Sequence, residues 1–230
     1  KPGYYSVQLD DYEVKVELTA SERVGMHRYT FPESEEARII LDLSEGNSDT
    51  SVETYIRKIN ETTIEGYRFS KGWAEDQREY FTLVSSKPIS DFILYEGNEK
   101  VEGDETKGVY SKGFLEFKTI KNEEVIIKMG VSPVSSINAL ENINAEIPHW
   151  DFDEIVSNAE KKWNKELSKV KIETSDLTKK RIFYTAMFHT MIAPNLYNDV
   201  NGEYRGTDKK VYSDPGFTNY TLFSLWDTYR

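Results

Sequence analysis

The feature that most constrains this chain is an alternation of apolar and polar residues through its first 131 positions. In residues 12–18, for example, Val14, Val16 and Leu18 alternate with charged side chains. Successive side chains of a strand point to opposite faces, so this pattern predicts a strand with one buried face. Similar segments follow at 26–31, 38–43, 52–59, 62–69, 79–84, 91–95, 114–120 and 125–131. Turn-forming residues separate them, and about ten strands at this spacing favour an antiparallel β-sandwich.

The pattern changes from strand to helix after Pro133. Residues 135–146 predict a short helix that ends before Pro148. Asp151 and Glu154 then resemble a capping box, in which each side chain bonds to the other residue's backbone N–H. The apolar residues that follow fall near helical spacing, with lysine and glutamate between them. We therefore predict an amphipathic linker helix, with Trp163 packing it against a neighbour.

A second long helix is predicted after Ser175 and Asp176, which can cap its first turn. Its residues 177–192 are apolar around much of the circumference, which predicts burial on more than one side. Since exposure of such faces is unfavourable, we expect a partner segment or association between copies to cover them. The polar, glycine-rich loop from 195 to 218 is too long for a simple connector, and long ordered loops are often functional.

Charge and composition exclude several classes of protein. The formal net charge is -11 and no long basic block occurs, which argues against a nucleic-acid partner. No run of 18 apolar residues is present, so we expect no membrane span. The chain has no cysteine, which excludes disulfides and thiolate metal sites. Both ends fall inside strand-like or helix-like sequence, so we interpret the chain as an internal piece of a longer polypeptide. We expect the rest of that polypeptide to be its partner.

Motifs for metal, nucleotide or serine-nucleophile chemistry are missing from the sequence. The three histidines, His27, His149 and His189, lie far apart, and none belongs to a metal-binding spacing. No glycine-rich nucleotide loop and no Gly-x-Ser-x-Gly elbow occurs. These residues therefore predict no metal site, and they give no support to the nucleotide-binding and serine-nucleophile classes.

Asp227 is the acidic residue that stands apart, because it lies between Trp226 and Tyr229 directly after the long loop. One interpretation pairs it with Arg230 in an ion pair at i, i+3. The other has Asp227 accept hydrogen bonds from a polar ligand while Trp226 covers an apolar face, as sugar sites require. Both remain open from these residues alone.

Trp73 is a second candidate for ligand binding, since it lies in a polar, glycine-flanked stretch between two predicted strands. It is either a platform for a ligand or a side chain that closes the edge of the sandwich.

Blocks of sequence in the same order along the whole chain are similar to family 92 of the glycoside hydrolases. They are PGYYSV at 2–7, ELTA at 17–20, RVGMHRYTFP at 23–32, WDFD at 150–153, FYTAMFH at 183–189, GEYRG at 202–206 and FSLWDTYR at 223–230. The resemblance implies a β-sandwich followed by a linker helix and the start of an (α/α)6 barrel. It divides the chain into a sandwich domain at 1–133, a helical linker at 134–173 and the first barrel helices at 174–230.

The resemblance also implies a function for the longer protein. Members of the family are secreted or periplasmic bacterial enzymes that remove terminal α-mannose from glycans, invert the anomeric centre and depend on calcium. Their acid, base and calcium ligands lie in helices that would follow Arg230, so the chain alone should be inactive. By the same resemblance, Asp227 binds hydroxyls of the terminal mannose, beside Trp226 and oriented by Arg230. The alternatives are a non-catalytic carbohydrate-binding sandwich that uses Trp73, and another hydrolase or phosphorylase of the same architecture.

Overall fold

Short strands joined by turns make up most of the part of the chain that the computed structural model describes, residues 1–213 and 216–222. The strands are β1 (Tyr5–Leu9), β2 (Val14–Ala20), β3 (Val24–Phe31), β4 (Ser34–Asp42), β5 (Thr50–Lys58), β6 (Thr63–Lys71), β7 (Gln77–Ser85), β8 (Asp91–Glu96), β9 (Glu99–Val101), β10 (Glu105–Gly108), β11 (Ser111–Thr119), β12 (Glu123–Ser132), β13 (Tyr204–Arg205) and β14 (Val211–Tyr212). The helices are α1 (Ser136–Glu146), α2 (Phe152–Leu167) and α3 (Leu177–His189).

Two antiparallel sheets form a sandwich. The larger sheet has eight strands in the order β1-β2-β3-β12-β7-β6-β5-β10, and the smaller has four in the order β4-β11-β8-β9. Alternate residues of each strand fill the space between the sheets, as Val125 and Ile127 of β12 do. The core they join includes Phe31, Ile39, Ile56, Ile64, Phe81, Leu83, Leu94, Leu115 and Phe117. The predicted sandwich is confirmed.

The start of β2 differs from the sequence prediction. Residues Asp10–Tyr12 form a short 3-10 turn, and Glu13 follows with a φ of 53°, so the strand begins at Val14. The reversal at Glu13 lets β1 pair antiparallel with β2, with Leu9 opposite Val14. Tyr12 therefore belongs to the turn, where its side chain is exposed.

Helices α1 and α2 cover part of the outer face of the larger sheet. Their side chains and those of β3 form a second apolar cluster, made of Val24, Met26, Ile143, Ile147, Phe152 and Ile155. Ser135 caps α1 and Asp151 caps α2, each accepting a bond from the backbone N–H three residues later. Of the predicted capping box, the bond from the Glu154 N–H to Asp151 is present. The reciprocal bond is not, because the backbone N–H of Asp151 donates to His149 Nδ1 at 3.2 Å and not to Glu154.

Helix α3 begins at the predicted cap, where Asp176 accepts bonds from the backbone of Thr178 and Lys179. Trp163 of α2 packs edge-on against Phe188 of α3, with 4.8 Å between ring centroids, as a packing residue should. No residue of α3 is buried. Burial on more than one side, by the partner segment or second copy that the sequence leads us to expect, therefore stays a prediction.

Candidate functional site

Between Asn195 and Leu222, the described residues 195–213 and 216–222 lie against one end of the sandwich, where a buried carboxylate attaches them. Asp199 is only 3% exposed. Its carboxylate accepts hydrogen bonds from the Ser132 hydroxyl at 2.6 Å and from the side-chain amides of Asn138 at 2.9 Å and Asn142 at 2.8 Å. Since Ser132 ends β12 and both asparagines belong to α1, one side chain ties the segment to the sheet and to its covering helix.

Asn142 is the most fully used of these polar groups. Its amide donates both to Asp199 and to the Val131 carbonyl at 2.9 Å, and its oxygen accepts from the Val200 backbone N–H at 2.9 Å. The side chain is completely buried. Because a buried polar group without partners is costly, this arrangement favours a single position of the Asp199–Val200 backbone.

Arg23 provides a second attachment, from the turn between β2 and β3. Its Nε donates to the Asn198 carbonyl at 2.5 Å, and its Nη1 pairs with Glu146 at 2.5 Å. The Glu146 carboxylate also accepts from the Ser21 hydroxyl and from the backbone N–H of Arg23. The last residue of α1, the β2–β3 turn and the segment are thus held in one charge-assisted network.

The two ends of the segment run antiparallel to each other. The Tyr197 N–H donates to the Asn219 carbonyl at 2.9 Å, and the Thr221 N–H donates to the Asn195 carbonyl at 2.8 Å. Leu196 and Tyr220 form a bridge between them. Thr221, which lies two residues before position 223, is therefore held by the part attached to the sandwich.

An open cleft of about 750 Å³ lies between the β2–β3 turn and this segment. Its lining includes Arg23, Asn198 and Asp199 on the polar side, and Phe217 and Tyr220 on the aromatic side. The two rings are more than half exposed. Exposed aromatic faces beside hydrogen-bonding groups suit a ligand that has both hydroxyls and an apolar surface.

Trp73, one of the predicted binding residues, lies in the turn between β6 and β7 and is 91% exposed. A second groove adjoins this turn and is lined by Phe69, Arg78, Asp76 and their neighbours. Lys209, in the turn between β13 and β14, approaches Asp76 at 3.5 Å. The hydrogen bond from Arg78 lowers the pKa of Asp76, and Lys209 adds to that effect. The Trp73 turn thus faces the same long segment, although Trp73 does not line the first cleft.

The other predicted binding residues, Trp226, Asp227 and Arg230, lie outside the described residues. Sequence reasoning missed Arg23 and Asp199. A signal for Asp199 was present, because Asn138 and Asn142 are four residues apart and so share one face of α1. When two amide side chains lie on the face of a helix that packs against a sheet, they require a polar partner.

The histidines take separate structural positions. His27 Nδ1 lies 3.0 Å from the Tyr29 hydroxyl, and burial lowers the pKa of His27. His149 accepts a backbone bond at the start of α2. Within residues 1–213 and 216–222, no three histidine, aspartate or glutamate side chains gather as a metal site requires. No helix of this same part is long and apolar enough to cross a membrane.

Comparison with known families decides the classification. Residues 1–132 match the glycosyl hydrolase family 92 N-terminal domain, and residues 138–230 match the glycosyl hydrolase family 92 catalytic domain. The chain belongs to glycosyl hydrolase family 92. The family predicted from the sequence blocks is therefore confirmed.

Solved structures of family 92 proteins share this fold. The GH92 alpha-mannosidase BT3965 from Bacteroides thetaiotaomicron is 37% identical, with a TM-score of 0.93, over 100% of this chain and 32% of its own. Its complex with mannoimidazole has the same identity and TM-score and is covered over 31% of its length. The inverting mannosidase BT2199 from Bacteroides thetaiotaomicron VPI-5482 is 23% identical over 99% of this chain and 31% of its own, with a TM-score of 0.86, which shows the fold alone.

This family 92 chain therefore spans about a third of the length of the solved structures that it matches. No curated protein matched it. The two matched regions meet between residues 132 and 138, where β12 passes into α1. Ser132 and Asn138, both partners of Asp199, lie at this junction.

Proposed function

We propose that the protein containing this chain is an inverting, calcium-dependent exo-α-mannosidase that releases terminal α-mannose from glycans. Family membership and the 37% identity to an alpha-mannosidase support this proposal. The observation that carries it is the segment from Asn195 to Leu222, which is held at the end of the sandwich and leads directly into FSLWDTYR. The chain then contributes the sandwich, the linker and one wall of the sugar pocket.

The proposed roles of the last residues follow from the chemistry of a mannose ring. The Asp227 carboxylate accepts hydrogen bonds from hydroxyls of the terminal mannose, and Trp226 covers an apolar face of the ring. Arg230 keeps Asp227 ionised and oriented, because a neighbouring guanidinium stabilises the charged form of a carboxylate. The exposed rings of Phe217 and Tyr220 support a pocket whose entrance is lined by aromatic side chains.

Inversion of the anomeric centre requires two carboxyl groups about 6.5–9.5 Å apart, one as acid and one as base. We assign neither group to this chain. Calcium prefers several oxygen ligands, and no cluster of three acidic or histidine side chains occurs in the described residues. The proton-transfer groups and the calcium ligands are therefore proposed to belong to the rest of the polypeptide. By its family, the protein is also proposed to act outside the cytoplasm.

Turnover by the full-length protein tests the proposal. An aryl α-mannoside should be hydrolysed, the first sugar seen by proton NMR should be β-mannose, and a chelator should abolish the rate until calcium is restored. The 230-residue chain alone should be inactive, since both proton-transfer groups are missing. Robust hydrolysis by the chain alone would contradict the assignment of those groups, and initial release of α-mannose would contradict inversion.

A non-catalytic carbohydrate-binding sandwich is the second candidate, and the exposure of Trp73 beside a groove of about 520 Å³ favours it. Calorimetry on the 230-residue chain with mannobiose separates the two functions. Binding that disappears in Trp73→Ala and persists in the control Ile120→Ala would support the binding module. Ile120 suits this control because it is also exposed.

A further inference from the structure

Trp73, in the turn between β6 and β7, is the most exposed of the large apolar side chains that the structure describes, at 91%. The turn itself is tight, because the Gly72 N–H donates to the Ala74 carbonyl at 2.8 Å. Gly72 also lies against the loop between β4 and β5, and a Cβ placed there would be 2.9 Å from the Ser48 carbonyl oxygen. Burial of an aromatic surface is favourable, so an indole held in water at the tip of a fixed turn suits contact with a ligand.

The groove of about 520 Å³ beside this turn offers both kinds of contact that a sugar requires. Its aromatic surface is Phe69, which stacks on Tyr67 with 4.3 Å between ring centroids and has the Arg78 guanidinium 4.9 Å from its own centroid. Its polar surface includes the carboxylates of Glu53 and Asp76. Arg78 Nε donates to Asp76 at 3.0 Å, which holds this wall of the groove in place. Hydroxyls donate to carboxylates, and the apolar face of a sugar ring packs on an aromatic side chain.

This turn lies at the same end of the larger sheet as the open cleft. Val24, the first residue of β3, pairs with Gly130 near the end of β12. Ser132, the last residue of β12, pairs with Tyr80 near the start of β7. The β2–β3 turn, the end of β12 and the β6–β7 turn are therefore neighbours. In the order β2-β3-β12-β7-β6 the two turns are three strand spacings apart, about 14 Å at about 4.8 Å per spacing.

The described residues 195–213 border both concave regions. Asp199, which lines the cleft, accepts a hydrogen bond from Ser132 at 2.6 Å. Farther along the same stretch, Lys209 approaches Asp76 of the groove at 3.5 Å. One stretch of backbone thus passes from the cleft to the groove. An oligosaccharide that lies along it reaches both, whereas a single sugar ring does not span about 14 Å.

We infer that the Trp73 turn and its groove hold a distal part of the mannose glycan that the full-length enzyme trims, an inference that rests on the proposed function. The ligand class is a mannose oligosaccharide, with one sugar ring on the indole and its hydroxyls donating to Asp76 and Glu53. The site adds affinity for long glycans and takes no part in bond cleavage. Because such a contact is the same before and during the reaction, it lowers KM for long substrates and leaves kcat unchanged.

The test compares two substrates of the full-length protein, an aryl α-mannoside and a high-mannose oligosaccharide. Trp73→Ala should lower the ratio of kcat/KM for the oligosaccharide to kcat/KM for the aryl mannoside by about tenfold, through a higher KM for the oligosaccharide. The side chain is almost fully exposed, so its removal leaves the sandwich intact. Trp73→Phe retains a flat ring and should keep most of the preference for the long substrate.

Tyr12→Ala is the matched control, because Tyr12 is also an aromatic side chain in a turn, 72% exposed, but lies at the opposite end of the larger sheet. Its turn precedes β2, whose residue Lys15 pairs with Thr30 near the end of β3. The substitution should leave the ratio at its wild-type value.

The outcomes are distinct. A ratio that falls in Trp73→Ala, recovers in Trp73→Phe and is unchanged in Tyr12→Ala supports the distal site. An unchanged ratio in Trp73→Ala, or an equal fall in Tyr12→Ala, overturns it while the proposed function stands. Absence of α-mannosidase turnover in the wild type overturns the proposed function, and the distal site with it.

Discussion

Glu17 of β2 and Arg28 of β3 lie directly opposite each other and form a two-pronged ion pair. Arg28 Nε lies 2.9 Å from Glu17 Oε2, and Nη2 lies 3.0 Å from Oε1. The Tyr4 hydroxyl donates to the same carboxylate at 2.6 Å. Arg28 also lies over the Phe152 ring, 4.3 Å from its centroid, so the pair connects two strands to the start of α2. Bidentate geometry of this kind is among the stronger charge-assisted arrangements.

Replacement of Glu17 should lower the stability of the chain at neutral pH and weaken its dependence on pH in acid. The hydrogen bonds from Arg28 are the main reason that the pKa of Glu17 is held at about 2, with help from Tyr4 and Lys15 and against its burial. Because the folded pKa lies below the unfolded value, the stabilisation is present above the unfolded pKa and is lost as pH falls toward 2. At neutral pH it is worth about 3 kcal/mol.

The measurement is urea unfolding of wild type and Glu17→Gln between pH 7 and pH 2. The variant should be less stable at pH 7, and the difference should shrink as the pH falls from about 4.3, the unfolded value. Glu35→Gln, an exposed partner of Lys118, serves as the control. If the difference in the free energy of unfolding is constant over this range, the loss of stability in acid does not come from Glu17.

Arg28→Lys tests whether the planar guanidinium is required. Lysine retains the charge but loses the two-pronged contact and the flat surface over Phe152. We expect a loss of about 1–2 kcal/mol in the free energy of unfolding. Arg57→Lys, at a more exposed pair with Glu65, should cost much less. Equal losses at both positions would show that the charge alone matters.

Gly130 lies where α1 packs closely on the sheet. A Cβ placed there would lie 2.2 Å from the Ala139 carbonyl oxygen and 2.8 Å from Ile143 Cγ1. Gly130→Ala should therefore push α1 outward and destabilise the chain by about 1–3 kcal/mol. In the neighbouring strand, the nearest contact of a Cβ at Gly25 would be 3.4 Å, so Gly25→Ala is the matched control. Thermal unfolding of both variants gives the comparison, and equal stabilities would refute the contact.

Alternation was enough to predict the central strands, but it did not predict the short edge strands. The side chains of β1 (Tyr5–Leu9) are mostly exposed, so the two faces of the strand differ little. β10 (Glu105–Gly108) has one buried residue, Thr106. Strands of this kind are defined by the neighbour with which they pair, because their own sequence carries little contrast between faces.

Local chemistry was equally predictable, whereas distant pairing was not. The caps Asp151 and Asp176 depend on backbone groups two or three residues away, and the sequence shows them directly. The donors to Asp199 lie 57 to 67 residues before it. Arg23 and Glu146 are 123 residues apart. Only the fold brings such groups together, so Arg23 and Asp199 were missed, and the binding residues taken from family resemblance stay predictions.

The buried side chain of Lys128 contacts the exposed Trp150 ring, and the pH dependence of stability can test this contact. Lys128 is 4% exposed, and its Nζ lies 3.9 Å from the centroid of the Trp150 ring. Burial lowers the pKa of Lys128. Below the folded pKa both states are protonated, so the folded state bears the full cost of burying the charge. As pH rises from there toward the unfolded value of about 10.4, the folded protein loses its proton first and the cost is relieved.

Lys128→Met keeps the apolar stem and removes the charge, so it should be at least as stable as the wild type at pH 7. The wild type should then gain stability relative to Lys128→Met as pH rises toward about 10.4, measured by urea unfolding at each pH. Lys121→Met, at an exposed position in the turn before β12, should show no such gain. If the difference between wild type and Lys128→Met stays constant with pH, the attraction of the Trp150 ring for the ammonium group outweighs desolvation, and the predicted shift is wrong.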